Sequence, residues 1–202
     1  MKKTLLLTIT ILTFFLSSRN ETMASPQPGS LNKSELPGNP KINELEVRGN
    51  VQVYLSIGNE ENIAMDENQS MKGIKILKEN QVLKISSNSP KIQVVWLRLT
   101  NLNKISVFDH SAVNSFGKIS VLDINVNLYN QAMANLDMNT FNADFVIKDQ
   151  ARAELKGFGE MVIFRRDCTA EIKYQDFISN ELSEISNPRL TYPISKLDGF
   201  EI

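Results

Sequence analysis

The chain has 202 residues, 22 basic and 23 acidic side chains, a formal net charge of −1, one cysteine and one histidine. That length suits one domain with a real core, and the intermixed charge leaves no electrostatic footprint for nucleic acid or an anionic membrane surface. A lone Cys168 excludes an internal disulfide, and a lone His110 leaves neither a Cys/His zinc set nor a His-centred triad to build on, so no metal or cofactor is expected.

The chain opens on Met1-Lys2-Lys3 and an apolar run from Thr4 to Leu16. This is the charged head and short apolar stretch of a secretory signal peptide, too short for a comfortable membrane span. Small residues place the cut after Ser18 or Ala24, so 1–24 is assigned to the leader and the mature protein is expected to be exported, without a membrane-spanning segment. Residues 25–41 carry Pro26, Pro28, Pro37 and Pro40 and read as a flexible lead-in.

From Ile42 the pattern turns to period two, the spacing of a half-buried strand. Ile42, Leu45, Val47, Val51, Val53 and Leu55 alternate with polar residues around Gly49, as a strand broken at a glycine would. Ile63-Ala-Met65 predicts a short strand. Gly73–Leu77 and Val82–Ile85 predict a hairpin around the loop Lys78–Gln81, and Ile92–Leu99 a strand leading into repeats. In that strand Trp96 is expected to be a core or junction residue, not a sugar platform.

Between about 105 and 177 the chain says nearly the same thing four times: Asp109-His-Ser-Ala-Val-Asn-Ser115, Asn130-Gln-Ala-Met-Ala-Asn-Leu136, Asp149-Gln-Ala-Arg-Ala-Glu-Leu155 and Arg166-Asp-Cys-Thr-Ala-Glu-Ile172. The offsets are 21, 19 and 17 residues, a recurrence length that points to stacked coils. Small or apolar columns follow: Ser111, Ala132, Ala151, Cys168, then Val113, Ala134, Ala153, Ala170, then Ser115, Leu136, Leu155, Ile172. A second set joins Ile105, Val126, Phe145 and Val162, and joins Val107, Leu128, Ile147 and Phe164. In this scheme Cys168 is a small buried hydrophobe. Corners are expected at 116–118, 137–139, 156–159 and 174–176, and 179–202 is read as a cap over the last coil. The fold class predicted is therefore all-β, a single-domain β-solenoid resembling a parallel β-helix over 42–202, with an N-terminal strand and hairpin region and a C-terminal cap.

An exported chain with the lead strand Glu46-Val-Arg-Gly-Asn-Val-Gln-Val-Tyr-Leu55, the hairpin and then coils with small residues in columns resembles the autotransporter adhesin family known for its head GIN domain. The resemblance spans roughly 42–177. It implies an exported bacterial β-solenoid of Gram-negative envelopes, in the periplasm, on the outer-membrane surface or outside the cell, with no established enzymatic activity. The partner would be an envelope protein or a glycan. Where members repeat Ser-Gly corners, this chain has Asp109-His-Ser111, Asn130-Gln-Ala132 and Asp149-Gln-Ala151.

Two sets of site candidates emerge. Carboxylates on one face of a β-helix can run polysaccharide cleavage, and Asp109, Asp149 and Arg166 are the residues such an enzyme would use, with Asp167 and Arg165 beside them. The row Asp109, Asn130, Asp149, Arg166 also suits a corner hydrogen-bond stack, the reading preferred here. Phe108, Tyr129, Asp149, Phe158 and Tyr174 are candidate surface contacts for a glycan or protein, with corner packing as the competing role.

Overall fold

The structure is a computed structural model that describes residues 31–35, 40–66 and 73–187. The leader 1–24 and the end of the expected cap, from 188 onward, lie outside the described residues. Those residues form thirteen strands and no α-helix. The first seven strands are β1 (Leu31–Glu35), β2 (Glu44–Gly49), β3 (Val51–Ile57), β4 (Asn62–Asp66), β5 (Ile74–Glu79), β6 (Val82–Ser87) and β7 (Gln93–Leu99). The repeats supply β8 (Lys104–Val107), β9 (Ala112–Ser115), β10 (Ile119–Leu128), β11 (Met133–Ile147), β12 (Arg152–Asp167) and β13 (Glu171–Asn187).

All thirteen join one sheet in the order β1-β4-β7-β3-β9-β11-β10-β8-β2-β6-β5, with β12 on β11 and β13 on β12. Pairings β1–β4, β4–β7 and β5–β6 are antiparallel, and the rest are parallel. Period-two alternation explains the burial. Leu45 and Val47 in β2, and Val51, Val53 and Leu55 in β3, are fully enclosed while their neighbours are not. Parallel, unshifted pairing then sets apolar side chains in rows about 4.8 Å apart from strand to strand. One row runs Leu83, Leu45, Ile105, Val126, Phe145, Phe164 and another Val95, Val53, Val113, Ala134, Ala153, Ile172. Their inward members share a single core, each large one contributing roughly 1.5–3 kcal/mol of burial.

The expected columns hold through the third copy and slip by two residues in the fourth. Phe145 faces Phe164 where Val162 was expected, and Ala153 faces Ile172 where Ala170 was expected. Arg152 stands opposite Glu171, an offset of 19 where 17 was expected. The turn at Asp167–Ala170 spans as many residues as the one at Lys148–Ala151, so the repeat does not shorten. Cys168 therefore leaves the inward column: Ala170 takes the place beside Ala151, with the Glu171 amide donating to the Ala151 carbonyl (3.0 Å), and the thiol is exposed. A bulge between Glu154 and Lys156 then lengthens the offset to 20, Gly157 facing Phe177.

Other differences are local. Leu31–Glu35, inside the stretch expected to be a lead-in, pairs with β4 as an edge strand. The hairpin β5–β6 closes on Asn80 (φ 54) and Gln81, a tighter turn than the expected four-residue loop. Of the four expected corners, 116–118 turns at Gly117 (φ 87), whereas β11, β12 and β13 run through the other three. Gly157 (φ 104) is required in that passage, since a Cβ there would lie 2.1 Å from the Met138 carbonyl oxygen. Ser179–Asn187, expected to begin the cap, continues β13 in parallel register with β12.

Candidate functional site

The Asp/Asn row occupies one corner of the sheet, where Asp109, Asn130 and Asp149 adopt φ 62, 63 and 60. Short Asx side chains tolerate this left-handed region and hydrogen-bond nearby backbone. The Gly49 amide donates to Asp109 Oδ2 (3.0 Å), the Asn130 amide to Asp149 Oδ2 (3.1 Å) and the Asp149 amide to Asp167 Oδ2 (2.6 Å), while Asn130 Nδ2 donates to Asp109 Oδ1 (3.0 Å). Each carboxylate in the row thus accepts an amide from the preceding layer. Asp167 also caps its own turn, accepting from the Thr169 hydroxyl and the Thr169 and Ala170 amides. Burial pushes its pKa up, yet these bonds and the Asp149 amide outweigh burial and hold it below the ordinary Asp value.

Arg166 is not part of that row. It stands in register with Ile147 and Ser186, and its guanidinium is engaged by Glu184. Asp144 likewise engages Arg165. The Asp109, Asp149 and Arg166 combination is therefore not brought together as one row, and the groups that were its candidates link neighbouring parts of the sheet. Among the described residues no cluster of three or more His, Cys, Asp or Glu side chains could hold a metal ion.

Phe108 and Tyr129 form a second row beside the corner. Their rings stack at 5.0 Å with planes 9° apart, the Arg48 guanidinium lies 3.6 Å from the Phe108 centroid, and Lys148 Nζ lies 5.8 Å from that of Tyr129. A cation thus closes each end of the ring pair, and both rings are half-buried. Tyr174, half-buried, packs on Phe164 (5.1 Å), which meets Phe145 edge-on (5.3 Å), and so helps close the end of the core. Asp149 is exposed at its corner. Of the five candidate contacts, Phe158 lines an open cleft of about 450 Å³ together with Val121, Leu122, Thr140 and Phe141.

That cleft brings in residues the sequence reading passed over. Leu122 is 76% exposed, Phe141 51% and Ile178 68%, although each is large and apolar. The buried Thr140 hydroxyl lies 3.0 Å from the Leu122 carbonyl and 2.9 Å from that of Asn142, fixing the backbone beneath them. The signal was present: Leu122 and Phe141 are separated by the 19-residue offset of their layers and hold equivalent outward places. A second cleft, of about 560 Å³, is lined by Ser56, Gly58, Asn59, Glu60, Arg98 and Phe116. Near it Trp96, expected in the core or at a junction, alternates outward between buried Val95 and Leu97 and stacks on Tyr54 (5.6 Å, 16°).

A family model described as "Putative auto-transporter adhesin, head GIN domain" matches residues 41–184. The chain belongs to this family. The match takes in β2 through most of β13, so both rows and both clefts lie inside the head GIN domain, and β1 lies outside it. Among solved structures, the fold is similar to a "putative adhesin" from Bacteroides fragilis, with a TM-score of 0.64 at 11% identity over 79% of this chain and 76% of that one. It is also similar to a "putative lipid binding protein" from Parabacteroides distasonis, with a TM-score of 0.56 at 13% identity over 78% and 79% of the two chains. A "putative adhesin" from the same species gives a TM-score of 0.56 at 14% identity over 79% and 78%. At these identities the likeness is one of fold. No curated protein sequence gives a significant match.

Proposed function

We propose that this head GIN domain is a non-catalytic β-solenoid, exported to the cell envelope or surface, whose work is to present a binding surface for adhesion or envelope assembly. The observation that carries the reading is a division of labour. The carboxylates and stacked aromatics of the corner rows are consumed in bonds between layers, while Leu122 and Phe141 are among the large apolar side chains left exposed and line one cleft together. Large apolar side chains left outside a complete core are a contact surface, because exposure costs each of them roughly 1.5–3 kcal/mol of burial it could otherwise have had.

The test is capture of isolated envelope fragments by the purified chain, comparing it with a Leu122→Ser/Phe141→Ser double variant. Loss of capture at an unchanged melting temperature supports the reading. Degradation of any polysaccharide in a broad panel, abolished by Asp149→Asn, would overturn it in favour of a carbohydrate-active enzyme. The lipid-binding description of one structural neighbour and the apolar lining of the Phe141 cleft favour an acyl chain as the group contacted there. Flotation with phosphatidylethanolamine vesicles tests that second reading.

A further inference from the structure

We propose that the cleft around Phe116 and Arg98 is a binding site for a neutral glycan, a deduction that rests on the binding-surface reading above. Arg98 in β7 stands in register with Ser56 in β3, and on the other side of β3 the Phe116 amide donates to the Leu55 carbonyl (2.6 Å). Arg98, Ser56 and Phe116 thus come from three adjacent strand ends, and the loop after β3 adds Asn59 and Glu60.

The loop is held rigidly by its next residue. The Glu61 side chain, 5% exposed, accepts the Ile42 amide (2.8 Å) and lies 3.8 Å from Lys78 Nζ. Glu60 and Asn59 are exposed. The stem of Arg98 lies across Gly58, so closely that a Cβ on Gly58 would come within 2.7 Å of Arg98 Cδ. Among the described residues the side chains of Arg98, Asn59 and Glu60 have no hydrogen bond or ion pair, the Arg98 backbone being paired within the sheet.

These groups match the chemistry of a sugar. A sugar ring offers hydroxyls that donate and accept in equal measure, and an apolar face of C–H bonds. Arginine donates, glutamate accepts, and asparagine and serine do both. Phe116, 53% exposed, supplies the apolar contact. One cation and one anion share the lining, so the cleft carries no net field to select an acidic polymer. Its volume of about 560 Å³ falls among those of ligand clefts, roughly 300–1,000 Å³, and its anchored loop lowers the ordering cost of binding.

The experiment is titration calorimetry of the full chain with chitotetraose, mannotetraose and maltotetraose. The site predicts that at least one binds, that Phe116→Ala and Arg98→Ala each weaken it at least tenfold at unchanged melting temperature, and that Gly58→Ala weakens it less by displacing the Arg98 stem. Leu122→Ser/Phe141→Ser leaves sugar affinity unchanged. Binding that survives both Phe116→Ala and Arg98→Ala overturns the site. If no sugar binds while envelope capture persists, the glycan inference fails and the proposed function stands; if both are absent, both fail.

Discussion

Asp109 offers the sharpest test of the corner row, because three substitutions separate its two contributions. Its carboxylate accepts the Gly49 amide and Asn130 Nδ2, both at 3.0 Å, and its backbone sits at φ 62. Asp109→Ala removes both bonds, at about 1 kcal/mol each, and imposes a left-handed alanine at roughly 1 kcal/mol more. The expected loss is therefore about 3 kcal/mol, or about 6–12 °C in melting temperature for a domain of this size. Asp109→Gly keeps the φ and loses the bonds, about 2 kcal/mol, while Asp109→Asn keeps the conformation and one acceptor, about 1 kcal/mol. Urea unfolding followed by circular dichroism reads all three. An alanine variant as stable as the glycine variant would refute the strain argument, and three variants within 0.5 kcal/mol of the parent would show that the corner bonds do not hold the layers.

Ala153→Arg forces a charge into an inward row where the alanine is 3% exposed, so a loss of several kcal/mol is expected, up to failure to fold; an unchanged melting temperature would mean the faces are inverted. Cys168 is exposed, so one thiol per folded chain should react with Ellman's reagent without denaturant, and a thiol that reacts only after unfolding would place it back inside. The depressed pKa of Asp167 means that its stabilisation is complete above the ordinary Asp value, about 3.9, and is lost as pH falls through the lower folded value. Asp167→Asn should lower stability near pH 7 by about 1 kcal/mol and flatten the acid limb of the stability curve; an acid limb identical to the parent's would count against it.

The alternation was legible because burial on a strand depends on local period alone. Leu45, Val47, Val53, Val113, Val126 and Phe145 could all be assigned inward without knowing what they faced. The stacking order was not legible, because a period-two pattern is indifferent to which strand lies next door. The first strands of the repeat region are not the first layer: β2 lies between β6 and β8, and β3 between β7 and β9, so the β6–β7 segment folds back under strands that precede it. Register failed where similarity of side chains was used as a guide to position. Matching Cys168 and Ala170 to small residues shortened the last coil by two, whereas the backbone conserves its turn length and lets Ile172 and Phe164 fill the wider end of the core. The corner row was half legible, since Asp and Asn suited a corner hydrogen-bond stack, but their left-handed backbone was not anticipated and Asp167 replaced Arg166 as its last member.

The outward side chains mark the real boundary of what a periodic pattern conveys. Alternation says that Trp96, Phe116, Leu122 and Phe141 are apolar and that some apolar residues will be outside; only the rows decide which. Because Val53 and Leu55 in β3 and Val95 and Leu97 in β7 hold the inward places on either side of them, Tyr54 and Trp96 alternate outward and stack there instead. The same logic governs the last strand. Opposite inward Phe164, β13 carries Glu184, and its residues 181–186 are all exposed, so the core closes at Tyr174 and Phe177 rather than extending under β13 to its end. Glu181 and Glu184 there break up the apolar character of Leu182 and Ile185 along a 17-residue strand. Charge placed within a long strand at the rim opposes edge-to-edge pairing, which favours a domain that binds through its faces over one that grows by adding strands.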